Sequence, residues 1–243
     1  MAILDDLLAT LVEDAPVRQV LVGVHWTVVC SRGCGMASTL IEEKPHGHQG
    51  VRQVGRLDRL TAVELAGLAR SDSLLEASLG VAAINSLIEV DPLSLVESNA
   101  LEILVERGRG QRLALVGHFP FIASLREAVK ELWVIEQHPS EGEHTADAAA
   151  EYLPRADVVA ITGTALINRS LDGLLALCRP QAFVMVLGPS TPLSSVLFDH
   201  GIHALSGVQV VDAEAALRTI GQGATFQQVE GVSRVVMSRE RRP

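Results

Sequence analysis

Four short stretches of this sequence set small, hydroxyl-bearing or ionisable residues directly behind apolar runs. They are Gly117-His118-Phe119-Pro120 behind 113–116, Glu136-Gln137-His138-Pro139 behind 132–135, Thr162-Gly163-Thr164 behind 158–161, and Gly188-Pro189-Ser190-Thr191-Pro192 behind 183–187. Glycine lets a ligand approach the backbone, while hydroxyls and the free N–H groups of helix N-termini hold carboxylate or phosphate. His118 is of the type that serves near pH 7 as a neutral ligand or a general acid–base. Taken singly, such ends are equally the caps and turns that every α/β protein needs. Four together point to a site.

A second candidate chemistry is metal ligation. Cys30 and Cys34 lie four positions apart beside Gly33 and Gly35, with His25, His46 and His48 in the same third of the chain. That is a soft-donor set for a transition metal, with His118 as a further candidate ligand, although no second cysteine pair completes a zinc-ribbon pattern. Three cysteines are an odd number, so a disulfide framework is not expected and a reducing compartment is the simpler reading. Glu136, His138, Glu141, Glu143 and His144 form another ionisable cluster, of the kind that usually sits solvated on a loop.

Other chemistries are disfavoured by what is missing. Glu136 follows Gly117 by 19 positions, near where a dinucleotide fold places its ribose-binding acid, but the stretch has one glycine instead of the full fingerprint. Neither a phosphate-binding Gly-x-x-x-x-Gly-Lys-Ser/Thr loop nor a Gly-x-Ser-x-Gly elbow occurs.

Elements must carry these residues to one place. Residues 3–12 space Ile3, Leu4, Leu7, Leu8 and Leu11 as a short amphipathic helix. Val20, Val22 and Val24 alternate, and 26–30 and 36–41 continue as strands around Gly33 and Gly35, which predicts a hairpin or small antiparallel sheet. Thr61-x-x-Glu64 and Ser73-x-x-Glu76 announce two helices. From about residue 93 the rhythm is strand and helix in turn. Strands are expected at 113–116, 132–135, 158–161, 183–187 and 208–211, with helices at 120–131, 145–152, 170–178, 192–199 and 212–219. Thr191 and Pro192 read as cap and first residue of the helix at 192, and Thr164 or Ser170 as a cap after 158–161. The fold class is therefore α/β. A small α+β domain over 1–92 precedes a Rossmann-like parallel-sheet domain over 93–243, whose ligand crevice lies at the carboxyl ends of the strands.

With 243 residues, 48% of them apolar, the chain can bury substantial cores. Twenty Lys and Arg against 29 Asp and Glu leave a formal charge of −9, and aromatic residues are only 3%, so nucleic acid is not the expected partner. No apolar stretch approaches the roughly 18 residues of a membrane span, and the first residues carry Asp5 and Asp6 where a signal peptide needs positive charge. A cytoplasmic protein without a membrane partner is expected, and a homodimer is the default assembly.

The runs Val116-Gly117-His118-Phe119-Pro120-Phe121, 157–168 around Thr162-Gly163-Thr164 and Asn168, and Leu187-Gly188-Pro189-Ser190-Thr191-Pro192-Leu193 resemble the putative heavy-metal chelation family of prokaryotic proteins. Val22-Gly23-Val24-His25-Trp26-Thr27, Gly33-Cys34-Gly35-Met36-Ala37 and 79–85 are similar to the small domain of the same proteins. The resemblance implies a small domain like the N-terminal domain of enolase, without the barrel that carries enolase's acids and magnesium, next to a Rossmann-like domain. It implies a crevice between them that takes a small-molecule or metal-chelate ligand. Carried over by position, the ligand-binding residues are Gly117, His118, Thr162, Gly163, Thr164, Asn168, Gly188, Pro189, Ser190 and Thr191, to which our reading of the strand ends adds Glu136. An enzyme acting on a pterin-, nucleotide- or tetrapyrrole-like molecule, with His118 as general acid–base, is the alternative. An interaction protein whose glycine turns are purely structural is a third.

Overall fold

The computed structural model of the chain describes residues 2–42 and 50–239. Its elements in order are α1 (Ala2–Ala9), β1 (Gln19–Val22), β2 (Trp26–Cys30), β3 (Cys34–Ser38), α2 (Ala62–Ala66), α3 (Leu74–Leu87), β4 (Leu95–Val96), α4 (Ala100–Gly108), β5 (Arg112–Val116) and α5 (Ile122–Ala128). There follow β6 (Glu131–Glu136), β7 (His144–Thr145), α6 (Ala149–Tyr152), β8 (Val158–Thr162), α7 (Thr164–Ile167), α8 (Leu171–Leu177), β9 (Phe183–Leu187), β10 (Ala204–Val210), α9 (Ala213–Gly221) and β11 (Val232–Ser238).

The first three strands form an antiparallel sheet in the order β1-β2-β3. The expected hairpin is thus present, extended by a third strand. α2 begins as the Thr61/Glu64 spacing predicts, with Glu64 N donating to Thr61 Oγ1 and Thr61 N to Glu64 Oε2. Ser73 accepts from Glu76 N at the start of α3. The Glu76 carboxylate does not close a second box. It accepts from Arg52 and Ser71 instead.

The larger sheet has eight strands in the order β4-β11-β10-β9-β8-β5-β6-β7. From β10 to β7 all neighbours are parallel, while β11 runs antiparallel to β10 and β4 antiparallel to β11. The parallel strands alternate their side chains between two cores. Leu113, Leu115, Val158, Ala160 and Met185 face one, and Ala114, Trp133, Ile135, Val159, Ile161 and Val186 face the other. Both faces are covered, which is why these strands read as unbroken apolar runs. The second core continues into α3 and the small sheet through Val29, Leu79 and Ile84.

The sheet is parallel from β10 to β7 as expected, with β11 and β4 added antiparallel at one edge. Several expectations need correction. The opening helix stops at Ala9, and 192–194 are not helical; a 3-10 turn runs from Ser195 to His200 instead. Thr191 caps nothing: its N–H closes a turn onto Gly188 O and its Oγ1 is buried without a hydrogen-bond partner. Nor do Thr164 or Ser170 cap a helix through their side chains. Cys30 and Cys34 face each other across β2 and β3 and are joined by a disulfide, which corrects the expectation of unpaired thiols. Among the described residues no helix is long and apolar enough to cross a membrane.

Candidate functional site

The strand order creates the site. β5 and β8 are neighbours, but the chain leaves β5 toward β6 and leaves β8 toward β9. Their last ladder bonds point apart accordingly: Gly117 N donates to Ile135 O on β6, and Gly163 N to Leu187 O on β9. This is the topological switch point of a doubly wound sheet, where the carboxyl ends diverge and leave a crevice. Gly117 enters its turn at φ 110°, and a Cβ there would stand 2.9 Å from Thr162 Cβ, so the two strand ends touch through a residue with no side chain. Gly163 has an ordinary backbone but no room: a Cβ would meet Thr191 Oγ1 at 2.6 Å and Thr191 N at 2.7 Å.

Above this junction opens a cavity of about 1070 Å³, at the upper end of small-molecule sites. Gly117, His118, Glu136, Thr162, Gly163, Thr164, Asn168, Gly188, Pro189 and Ser190 all line it. Thr191, from the same sequence reading, lies behind Gly163 and is 2% exposed. The small sheet supplies part of the wall, with Trp26, Ser38 and Leu40. Ser190 fastens the two parts, since its Oγ accepts from Ser38 N at 2.8 Å and lies 3.1 Å from Ser38 Oγ.

Two aromatic groups flank the opening. Phe119 and Phe121 stack with centroids 5.3 Å apart and planes 17° from parallel. Trp26 tilts against Phe226 at 5.5 Å, its Nε1 held by Ala224 O, and the Arg234 guanidinium lies 4.9 Å from the centre of the Phe226 ring. The floor offers polar groups. Thr162 and Thr164 hydroxyls are 3.0 Å apart. Asn168 Oδ1 accepts from Ser170 N and Oγ, so its Nδ2 donors are what it presents.

Sequence reasoning missed Trp26, Ser38, Ser98, Asn99, Phe226 and Arg234 as lining residues. Asn99 caps α4 by accepting from Leu101 N, a signal visible in Asn99-x-x-Glu102. Arg234 lies on β11, whose Val232, Val235 and Val236 could have been read as a strand.

The ionisable residues that line the cavity are His118, Glu136 and Arg234. Glu136 is engaged locally, its Oε1 accepting from His118 N at 3.0 Å and its Oε2 from Gln137 N at 2.6 Å. A dinucleotide-binding turn starting at Gly117 would set further glycines at 119 and 122, where this chain has Phe119 and Ile122. His118 Nδ1 sits 2.9 Å from Glu143 Oε1, with the imidazole 59% exposed and the carboxylate 6%. Glu143 is held below the usual carboxylate pKa, first by the hydrogen bond from Ser140 N and then, against the cost of burial, by that from His118.

Among the described residues the donor set does not assemble a metal site. Among the described residues no three His, Cys, Asp or Glu side chains converge on a point that could hold one. A disulfide sulfur is not a thiolate, which removes Cys30 and Cys34 as ligands in this state. His25 is exposed, His46 and His48 lie outside the described residues, and His118 stands with Glu143 as its one acidic partner in that bond.

Comparison with known proteins agrees in fold and stops short of a ligand. An uncharacterised protein of Methanocaldococcus jannaschii is 28% identical over 215 residues, 84% of this chain and 80% of that one. A crystal structure of a protein of unknown function from the DUF364 family of Desulfitobacterium hafniense matches with a TM-score of 0.83 at 28% identity, covering 98% of each chain. Another from Pyrococcus horikoshii matches with a TM-score of 0.82 at 20% identity over 97% of this chain and 98% of that one, a likeness of fold. Two family descriptions, both reading putative heavy-metal chelation, match residues 4–88 and 99–239. The three-stranded sheet that seats Ser38 against Ser190 and the switch-point crevice fall within those two matched segments, and the chain belongs to the putative heavy-metal chelation family.

Proposed function

We propose that the protein binds a small, flat organic anion, or a metal ion already held by such an anion, in the cavity at the switch point. The observation that supports this best is the chemistry of the walls. Among the described residues that line it, aromatic pairs, neutral hydroxyls and amides accompany one arginine, one histidine and one glutamate, with no thiol or cluster of carboxylates. Such walls suit a conjugated ring system with one acidic edge far better than a bare cation. Any metal would then be cargo, coordinated by the organic ligand, with the protein recognising the complex from outside. Ser38, Thr162, Thr164, Asn168 and Ser190 would orient its polar edge, the turn at Gly188-Pro189 would lie against it, and Arg234 would face its carboxylate.

A thermal-shift assay with pyridine-2,6-dicarboxylate, a flat anionic chelator, tests the reading. The reading expects a rise in melting temperature with the chelator, loss of that rise in Arg234→Ala, and no rise with nickel chloride alone. A rise with nickel chloride that the chelator abolishes would overturn it.

A further inference from the structure

His118 lines the cavity, and its ring meets Glu143 from the loop after β6. A carboxylate accepts hydrogen bonds but donates none, so the neutral imidazole must carry its hydrogen on Nδ1. Among the described residues no hydrogen bond takes up the Nε2 lone pair that this leaves. Glu143 is itself fixed, since its Oε2 accepts from Ser140 N at 2.9 Å while Oε1 takes Nδ1. The His118 backbone is fixed too, by the bond from its N–H to Glu136. A histidine with one ring nitrogen tied to a buried acid, and the other free beside a ligand cavity, is the arrangement of an oriented base.

We propose that the cavity is catalytic, with His118 Nε2 as general base, Glu143 as its positioning residue, and a weak O–H or C–H acid of flat organic type as substrate. This rests on the ligand-binding reading of the cavity. In the step, the X–H bond of the substrate breaks and its electron pair stays on the substrate. The proton forms an N–H bond at Nε2, and the imidazolium is neutralised by Glu143 beside it. Return of the proton to product or water restores the base, so the cycle needs no oxidant or reductant. Arg126 adds positive charge near Glu143, and Glu136 adds negative charge near the His118 backbone.

The test uses 5-nitrobenzisoxazole, a flat heteroaromatic compound that opens when a base removes its C3 proton. The C–H electron pair completes the nitrile, the N–O bond breaks, and a coloured cyanonitrophenolate is released. Binding is measured separately with 5-nitroindazole, which has the same outline and no N–O bond. General bases are worth on the order of a hundredfold or more on native substrates, so for this simple probe His118→Ala should lower the rate by about tenfold. Binding of 5-nitroindazole should not change. Glu143→Gln should also lower the rate, Glu143→Asp should restore part of it, and the ¹⁵N shifts of His118 should report hydrogen on Nδ1 in the parent protein. Equal rates in the parent and His118→Ala, with 5-nitroindazole still bound, would overturn the catalytic proposal and leave the binding reading intact. Absence of 5-nitroindazole binding would overturn the catalytic proposal for neutral flat acids, while the anion-binding reading stands or falls separately on pyridine-2,6-dicarboxylate.

Discussion

Replacing Gly163 by alanine isolates the close approach on which the switch point depends. The residue has helical backbone angles, φ −60° and ψ −18°, so alanine brings no conformational strain and the cost is steric. Its Cβ would stand 2.6 Å from Thr191 Oγ1, 2.7 Å from Thr191 N and 3.0 Å from Ser190 C. Reaching an ordinary contact near 3.4 Å requires the turn at 188–191 to retreat by about 0.8 Å, and such overpacking typically costs about 1–3 kcal/mol. The same retreat pulls Ser190 from Ser38, where a 2.8 Å hydrogen bond is at stake, worth about 1 kcal/mol. The loss of unfolded-state freedom on going from glycine to alanine gives back about 0.5–1 kcal/mol. The net is about 1–3.5 kcal/mol, or roughly 2–14 °C in melting temperature for a chain of this length. Gly173, inside α8 with nothing within 4 Å of its Cβ position, is the control, and its alanine variant should be more stable by about 0.5–1 kcal/mol. Calorimetry on both variants decides the matter. Gly163→Ala melting at or above the parent would refute the packing on which the crevice is built.

Other outcomes follow from particular contacts. Ser190→Ala leaves Ser38 N without its acceptor and should cost about 1–3 kcal/mol in urea unfolding; an unchanged midpoint would mean that the small sheet is held without this bond. Asp157 is clamped by Arg112 and Arg179 and lowered to a pKa of about 2, chiefly by the Arg112 hydrogen bond. Because its folded value lies below the unfolded one, its stabilisation is whole above about pH 4 and is lost as pH falls toward 2. After allowance for solvent screening it is worth about 1–2 kcal/mol, and the stability gap between the parent and Asp157→Asn should shrink by roughly half between pH 7 and pH 3. A gap constant over that range would contradict the clamp. In denaturant without reductant, thiol titration should find one reactive cysteine, Cys178, and three after reduction; three before reduction would remove the Cys30 to Cys34 bond.

The sequence showed most clearly what local burial dictates. β5, β6, β8 and β9 are buried on both faces, so each stands out as an apolar run, and the residues just past them converge on one cavity because the topology puts parallel carboxyl ends together. β11 was invisible to that logic. It lies one place from the edge, has only Val235 and Val236 fully buried, and its pairing with β10 depends on contacts across 22 or more positions. Arg234 was lost with it, and so was the cation that faces the cavity. The disulfide was hidden for a related reason. Four positions of separation say nothing until the register of β2 and β3 sets Cys30 opposite Cys34. The helix expected at 192–199 failed because Thr191 turns back onto Gly188 with its Oγ1 buried and accepting no N–H, so no cap starts a helix at Pro192. Glu143 read as one member of a solvated cluster. Only the fold brings it under His118.

The central claim is that the cavity recognises an organic anion, with any metal held by that anion and not by the protein. Calorimetric titration of the untagged protein with nickel chloride, with pyridine-2,6-dicarboxylate, and with their preformed complex tests it most directly. The account predicts saturable one-to-one binding of the chelator or its complex, weakened at least about tenfold in Arg234→Ala, as expected for the loss of a charged hydrogen bond, and no stoichiometric heat from nickel alone. Tight one-to-one binding of nickel by itself, indifferent to Arg234, would contradict it.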